Sequence, residues 1–274
     1  MKVLYLVIAS SDPTHLQDEL TQRATWASSS STNSIWLRGG KTTYFNQDSR
    51  NLYVDLEETY SNILLKTLKG INWCLANLHF DFMIRANVST YFDVNRVHSL
   101  LHDFSPSRDF FGGYLDFRKN PQNCGLSNVF VNGGALFFSH KTLTRLEKMR
   151  EEEWTNLPDD YAISQFLLRE KVLPTQIPRG NISNTSVLTA RAYYRAKSSS
   201  NSIMASLRMR ILHEIKETSF TLRKLLLYGR FYGNELRYFK ANYSNPIGYL
   251  YSLYSFLSAT TKSRRLLNND KSRR

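Results

Sequence analysis

Cysteine is scarce: the 274 residues contain two. That excludes a disulfide-stapled scaffold. Cys74 lies in an apolar run and Cys124 in a polar loop, and neither belongs to a Cys-x-x-Cys or Cys-x-x-His pair, so a structural zinc site is excluded as well. A reduced, cytoplasmic thiol state fits. Long apolar runs are also missing. No window of about 20 apolar residues appears, which excludes a membrane-spanning helix in the sequence. The opening stretch has an apolar part of about seven residues, at the short end for a secretion signal. The turn signal Ser10-Ser11-Asp12-Pro13 follows it, so Leu4, Leu6, Val7 and Ile8 read better as a buried parallel strand. On that reading the sequons at Asn87, Asn181, Asn184 and Asn242 meet no glycosylation machinery.

Acidic residues are scarce in one region only. Residues 1–197 hold 22 Lys and Arg against 19 Asp and Glu, whereas residues 198–274 hold 14 against 4, so most of the net +13 belongs to the C-terminal part. A uniformly basic nucleic-acid binder does not look like this, and no zinc finger, RNA-recognition signature or glycine-rich RNA loop is present. What remains is ordinary globular composition, 42% hydrophobic and 22% charged, in a length that suits one full-sized domain with a smaller attachment.

Strand and helix signals alternate through residue 197. Strands are expected at Val3–Ile8, Ile35–Leu37, Leu52–Val54, Phe80–Ile84, Phe110–Tyr114, Val129–Val131 and Ala135–Phe138. Helices are expected at Asp18–Ala27, Val94–Leu101, Lys141–Glu153 and Asp159–Arg169, the last capped by its own aspartates. Asp55 with Glu58 three residues on reads as a capping box opening a long helix through Ile63, Leu68 and Leu75. This alternation predicts an α/β domain over residues 1–197, a mostly parallel sheet with helices on both faces. Residues 198–274 form a second region. Ser198–Ser202 reads as a linker, Ile203–Tyr228 as a basic amphipathic helix, Pro246–Ala259 as an aromatic and apolar stretch, and Lys262–Arg274 as a polar basic tail.

The most informative feature is an ordered series of short signatures: Arg23-Ala24-Thr25-Trp26, then Tyr60-Ser61-Asn62-Ile63-Leu64-Leu65-Lys66-Thr67-Leu68 with Trp73, then Asp81–Arg85 running into Ala86-Asn87-Val88-Ser89, then Asn132-Gly133-Gly134, and last Pro158-Asp159-Asp160. Over roughly residues 1–170 this series resembles the inverting GT-A glycosyltransferases of the β-1,3-galactosyltransferase and Fringe type (glycosyltransferase family 31). The resemblance implies a GT-A fold, a Rossmann-like sheet, and transfer of a sugar from a nucleotide-sugar donor to a glycan or lipid-linked acceptor. The family holds a divalent metal with an Asp-Asp-Asp motif, where this chain reads Arg85-Ala86-Asn87-Val88-Ser89, and no other Asp-x-Asp exists. Asn and Ser are neutral and bind Mg or Mn weakly. The expectation is therefore an enzyme with no cofactor, a Mn or Mg requirement being the alternative.

A cationic substitute is available in Ala192-Tyr193-Tyr194-Arg195-Ala196-Lys197, where GT-A enzymes contribute a C-terminal metal or diphosphate contact. Arg195 and Lys197, with Arg191 nearby, lie on one side of an extended segment and could neutralise a leaving diphosphate. A solvated basic turn is the competing reading. For the catalytic base the resemblance points to Asp160, with Asp159 beside it. Helix capping is the competing reading there. By the same resemblance Ser10, Arg23, Lys66, Arg85, Asn87 and Ser89 are donor-side candidates, and Asn132, Gly133 and Gly134 acceptor-side ones. Lys66 could equally be an exposed helix lysine, Arg23 a surface ion pair, and Gly133-Gly134 a plain turn. Trp26 and Trp73 read as core. A catalytically silent GT-A-like domain that binds a sugar nucleotide or glycan is the alternative function. The basic region 203–274 suits an anionic membrane surface, which would make the protein peripheral on the inner face of the membrane; a helix packed on the first domain with its charge on a solvated face is the competing reading.

Overall fold

The computed structural model describes residues 1–28, 32–118, 127–154, 157–181 and 191–195, and beyond them 205, 206, 208–210, 212 and 213. Lys197, Cys124 and nearly all of the expected basic region, including Pro246–Ala259 and Lys262–Arg274, lie outside the described residues.

The apolar opening segment is the central strand β1 (Val3–Ile8), and its alternating side chains fill both halves of the core. It pairs in parallel with β2 (Asn33–Gly40) on one side and β5 (Phe82–Asn87) on the other. Outside β2 come β4 (Asn51–Asp55), parallel, and the short antiparallel edge strand β3 (Tyr44–Asn46). Outside β5 come the long antiparallel β8 (Val129–Ser139), then β7 (Phe111–Phe117) and β9 (Pro174–Gln176), so the sheet runs β3-β4-β2-β1-β5-β8-β7-β9. A second small sheet, β10 (Arg179–Asn181), β11 (Tyr193–Arg195) and β6 (Thr90–Phe92), stands over the ends of β1 and β5.

On the face carrying Leu4 and Leu6, helices α2 (Ile63–Asn77), α4 (His140–Leu146) and α5 (Asp159–Arg169) seal the core. On the face carrying Val3, Tyr5 and Val7, the cover comes from α3 (Val94–Leu101), Trp26 after α1 (Pro13–Ala24), and the C-terminal Ala205, Met209 and Leu212. The expected α/β architecture with helices on both faces is present. Trp26 is core, as read, and its Nε1 donates to the Thr90 carbonyl. Trp73 is half-buried against Phe45.

Several local expectations are corrected. Asp55 does not cap α2: it ends β4, the helix starts at Ile63, and Glu58 instead pairs with Lys66. The segments around Gly133-Gly134 belong to one strand, β8, which pairs with β5 from Ala135 onward and with β7 on both sides of the glycines, the β7 register shifting there. Lys141–Glu153 is a short helix followed by a separate 3₁₀ turn at Glu151–Trp154. Asp159 and Asp160 sit in the first turn of α5, but Pro158 occupies the cap position and no side chain caps the helix. The boundary after Lys197 also shifts in meaning, since Ala205, Met209 and Leu212 are buried in the core of the first domain and Ser206 Oγ donates to Asp18 2.7 Å away.

Candidate active site

The chain leaves β1 toward β2 and later returns to β5 on the other side of β1, which makes the carboxyl ends of β1 and β5 a topological switch point. Ligands of open α/β sheets bind in the crevice at such a point. Here Ile8 pairs with Asn87, and the segments Ala9–Asp12 and Val88–Ser89 leave the sheet side by side. A cleft of about 810 Å³ lies over them. It is lined by Ser10, Lys66, Arg85, Asn87, Ser89 and Asp160, among others, and Asn132, Gly133 and Gly134 close one side. Arg195 lines it from the small sheet, since β11 pairs antiparallel with β6 and sets Arg195 opposite Thr90, next to Ser89. Residues widely spaced in the sequence thus meet in one place.

Arg23 is the exception. Its guanidinium sits 3.6 Å over the Trp36 ring, donates to Glu19, to the Ser49 carbonyl and to Asn51 Oδ1, and does not line the cleft. Lys197 lies outside the described residues.

Lys66 is buried, donating to the Ala9 carbonyl and paired with Glu58. Burial pushes its pKa down, and the Glu58 carboxylate opposes that shift. Arg85 is 2% exposed and joins three elements: Nη1 donates to Asn87 Oδ1 and to the Gly133 carbonyl, and Nη2 to Asp159 Oδ2. Asp159 also accepts from Thr67 Oγ1 at 3.1 Å. Both of its charged and polar partners are therefore within the protein. Asp160 differs. Its Oδ2 accepts from the Gly133 N–H at 2.7 Å and its Oδ1 from the Tyr161 N–H at 2.8 Å, with a flank open to the cleft. Burial and then the neighbouring Asp159 push its pKa up, against the pull of Arg85 and the two backbone donors.

A second cleft of about 770 Å³ lies on the other side of Asp160. The two cavities share a wall made of Tyr60, Ile63, Arg85, Asn87, Asn132, Gly133 and Asp160. Asn132 is locked within it: Oδ1 accepts from Gly134 N–H and Arg179 Nη1, and Nδ2 donates to Asp116 Oδ2 at 3.0 Å. Asp116, Arg118, Tyr60, Phe117 and Phe130 also line this second cleft, and none of them was singled out as a site residue from sequence. Tyr60 stood in a motif but without a role. The alternation in Phe111–Phe117 marks a strand without showing that its end reaches a cavity.

The GT-A resemblance implies a divalent metal, and the residues present do not fit one. The end of β5 offers Asn87 and Ser89 where carboxylates would be needed, and the carboxylates of Glu58 and Asp159 are paired with Lys66 and Arg85. Among the described residues no group of three or more His, Cys, Asp and Glu forms a ligating cluster. The cleft carries Lys66 and Arg85, each paired with an acid, Arg195, and the carboxylates of Asp12, Asp18 and Asp160.

No family model and no curated protein matches the sequence. Among solved structures, a glycosyltransferase involved in the glycosylation of the major capsid of PBCV-1 is similar, with a TM-score of 0.50 at 8% identity over 77% of this chain and 100% of that one. The galactosyltransferase LgtC, with donor and acceptor sugar analogs, gives 0.46 at 11% identity over 79% of this chain and 97% of that one. The glycosyltransferase GlyE of Streptococcus pneumoniae TIGR4 gives 0.45 at 9% identity over 86% and 64%. The first of these likenesses bears on the fold alone, which is an α/β fold of the GT-A kind.

Proposed function

We propose that the protein is a metal-independent, inverting glycosyltransferase. The observation that carries the reading is the position of Asp160 on the wall shared by two clefts, the first carrying Lys66, Arg85 and Arg195 beside the carboxylates of Asp12, Asp18 and Glu58, the second carrying the rings of Phe117, Phe130 and Tyr161. The first cleft holds the nucleotide-sugar donor, with Lys66 and Arg195 facing its diphosphate and Ser10, Asn87 and Ser89 hydrogen-bonding the ribose or sugar. Arg85 contributes its charge from behind the wall. The second cleft holds the acceptor, a glycan or a lipid-linked saccharide.

In a single displacement, the acceptor oxygen attacks the anomeric carbon as the carbon–oxygen bond to the diphosphate breaks. Asp160 takes the hydroxyl proton, and the bonding pair leaves with the nucleoside diphosphate. The configuration at the anomeric carbon inverts because attack and departure are on opposite faces. The raised pKa of Asp160 makes it a better proton acceptor than an ordinary carboxylate. Cationic side chains stabilise the leaving group in place of a metal ion.

The experiment is incubation of the full chain with UDP-, GDP-, dTDP- and CMP-sugars, with and without EDTA, following nucleotide release. Release from one donor that is unchanged by EDTA and little raised by Mn is the expected outcome. A divalent requirement would overturn the metal-free reading, and tight nucleotide binding with no release under any condition would favour a silent binding domain.

A further inference from the structure

Helix α1 is inverted in polarity: Leu16 and Leu20 are exposed, whereas Asp18, Glu19 and Gln22 are buried. Burying an amide is unfavourable unless its hydrogen bonds compensate, so those bonds must account for Gln22. Its Nε2 gives both N–H groups away, one to the Asn87 carbonyl at 3.0 Å and one to the Thr90 carbonyl at 2.9 Å. Its Oε1 has no hydrogen-bond partner among the described residues. An apolar side chain of this length would avoid that unpaired oxygen and lose only the two donors. The two carbonyls are therefore what the amide serves, and they bracket Val88-Ser89, the turn between β5 and β6. This turn presents Asn87 and Ser89 to the first cleft. Three further bonds hold it. Trp26 Nε1 donates to the same Thr90 carbonyl at 3.2 Å, Thr90 Oγ1 to the Gly134 carbonyl at 2.6 Å, and Arg85 Nη1 to Asn87 Oδ1 at 2.8 Å. Thr90 also stands opposite Arg195 in the small sheet. One amide thus fixes both ends of the turn and the strand against which Arg195 is placed.

We infer that Gln22 is a positioning residue for the first cleft: it holds the Asn87–Thr90 turn in the form that presents Asn87, Ser89 and Arg195 to the donor before the donor arrives. The inference rests on the transferase reading above and gives a part in it to a residue that lines neither cleft. A turn already fixed loses little conformational entropy when a ligand binds to it. Removing Gln22 therefore lowers affinity without removing any contact to the ligand. A side chain that only tied α1 to the sheet would behave differently. Its loss would lower the melting temperature and leave the affinity of the folded protein as it was.

The test is isothermal titration of the full chain with UDP, GDP, dTDP and CMP in EDTA, at a temperature where circular dichroism shows every variant folded. Gln22→Met keeps the unbranched chain and removes both N–H groups. Thr21→Val is the control: it removes a buried hydroxyl that donates to the Gln17 carbonyl and lines neither cleft. The parent chain should bind at least one nucleotide. Gln22→Met should weaken that nucleotide about tenfold or more, and Thr21→Val should leave it within about twofold, whatever either does to the melting temperature. If Gln22→Met does not fold, Gln22→Asn takes its place with the same expectation, since it keeps the amide and draws it back by one methylene. Binding that is equal in the Gln22 variant and the parent chain overturns the positioning role and leaves the transferase reading standing. Equal weakening in the Gln22 and Thr21 variants overturns it too, because the stability of α1 then accounts for the loss. No nucleotide bound by the parent chain overturns both.

Discussion

Asp160 and Asp159 are adjacent in sequence and opposite in circumstance. Asp159 is tied to Arg85 and Thr67, while Asp160 accepts two backbone N–H bonds and faces the cavities. Asp160→Asn should leave donor binding intact and slow transfer by about 10²–10⁴-fold, the usual size of general-base catalysis. Single-turnover assays at saturating donor check this. The base works deprotonated, so the acid limb of the rate profile should lie above the ordinary carboxylate range, because burial and Asp159 both raise the Asp160 pKa. Asp159→Asn removes the like charge and leaves the Arg85 charge uncompensated, so that limb should move to lower pH. A limb that stays in place would show that Asp160 does not govern it. The same shift has a stability sign. A folded-state pKa above the unfolded one means that folding takes up a proton, so this stabilising contribution is complete below the unfolded pKa and is lost as pH rises through the folded one. The motif drew attention to Asp160, which lines both clefts. Its neighbour's role as a buried ion-pair partner was not legible, because that depends on Arg85 arriving from a strand 74 residues earlier.

The elements that carry these residues were readable to different degrees. β1, α3 and α5 were legible because each has the apolar spacing of its class and is bounded by clear signals. α1 was misplaced because its exposed Leu16 and Leu20 face away from the core, whereas Asp18, Glu19 and Gln22 are buried. Gln22 donates to the carbonyls of Asn87 and Thr90, and Glu19 pairs with Arg23 and Arg38, so the helix is held by hydrogen bonds and ion pairs that hydrophobic periodicity does not report. In β8 the glycines suggested a turn, but the strand uses them for close approach. A Cβ on Gly133 would lie 2.8 Å from Asp160 Oδ2. Gly133→Ala should therefore displace the base and lower kcat while sparing donor affinity, which steady-state kinetics and nucleotide titration separate. Arg85 ties β5, β8 and α5 together from a buried position. Arg85→Ala strands the Asp159 carboxylate and should destabilise the fold by about 3–5 kcal/mol, the usual loss when one member of a buried pair is removed. Urea unfolding measures it, and a change under about 1 kcal/mol would show that the pair is solvated in solution.

At the scale of the whole molecule, the described part of the C-terminal region completes the core. Ala205, Met209 and Leu212 close the core against Tyr5, Phe92 and Leu101, so a chain ending at Lys197 should melt earlier than the full chain by calorimetry. The remainder, residues 214–274, holds 12 Lys and Arg against 4 Asp and Glu. We expect it to bind anionic vesicles in a salt-sensitive manner, with each basic residue near the surface adding about 1 kcal/mol. Co-sedimentation of the full chain and of one ending at His213 checks this, since that truncation spares the core. Equal recovery of both in the supernatant would remove the membrane from the account. The closure of the core by residues this late also bears on how the protein is made. β1 is central in the sheet, yet its partner β5 begins at Phe82 and its outer cover includes residues as late as Leu212. At about 5–20 residues per second of synthesis, that strand waits about 10–40 s for its last neighbours. Through that interval a six-residue apolar segment without charge is a nascent-chain hazard, and the newborn chain should depend on a holding chaperone.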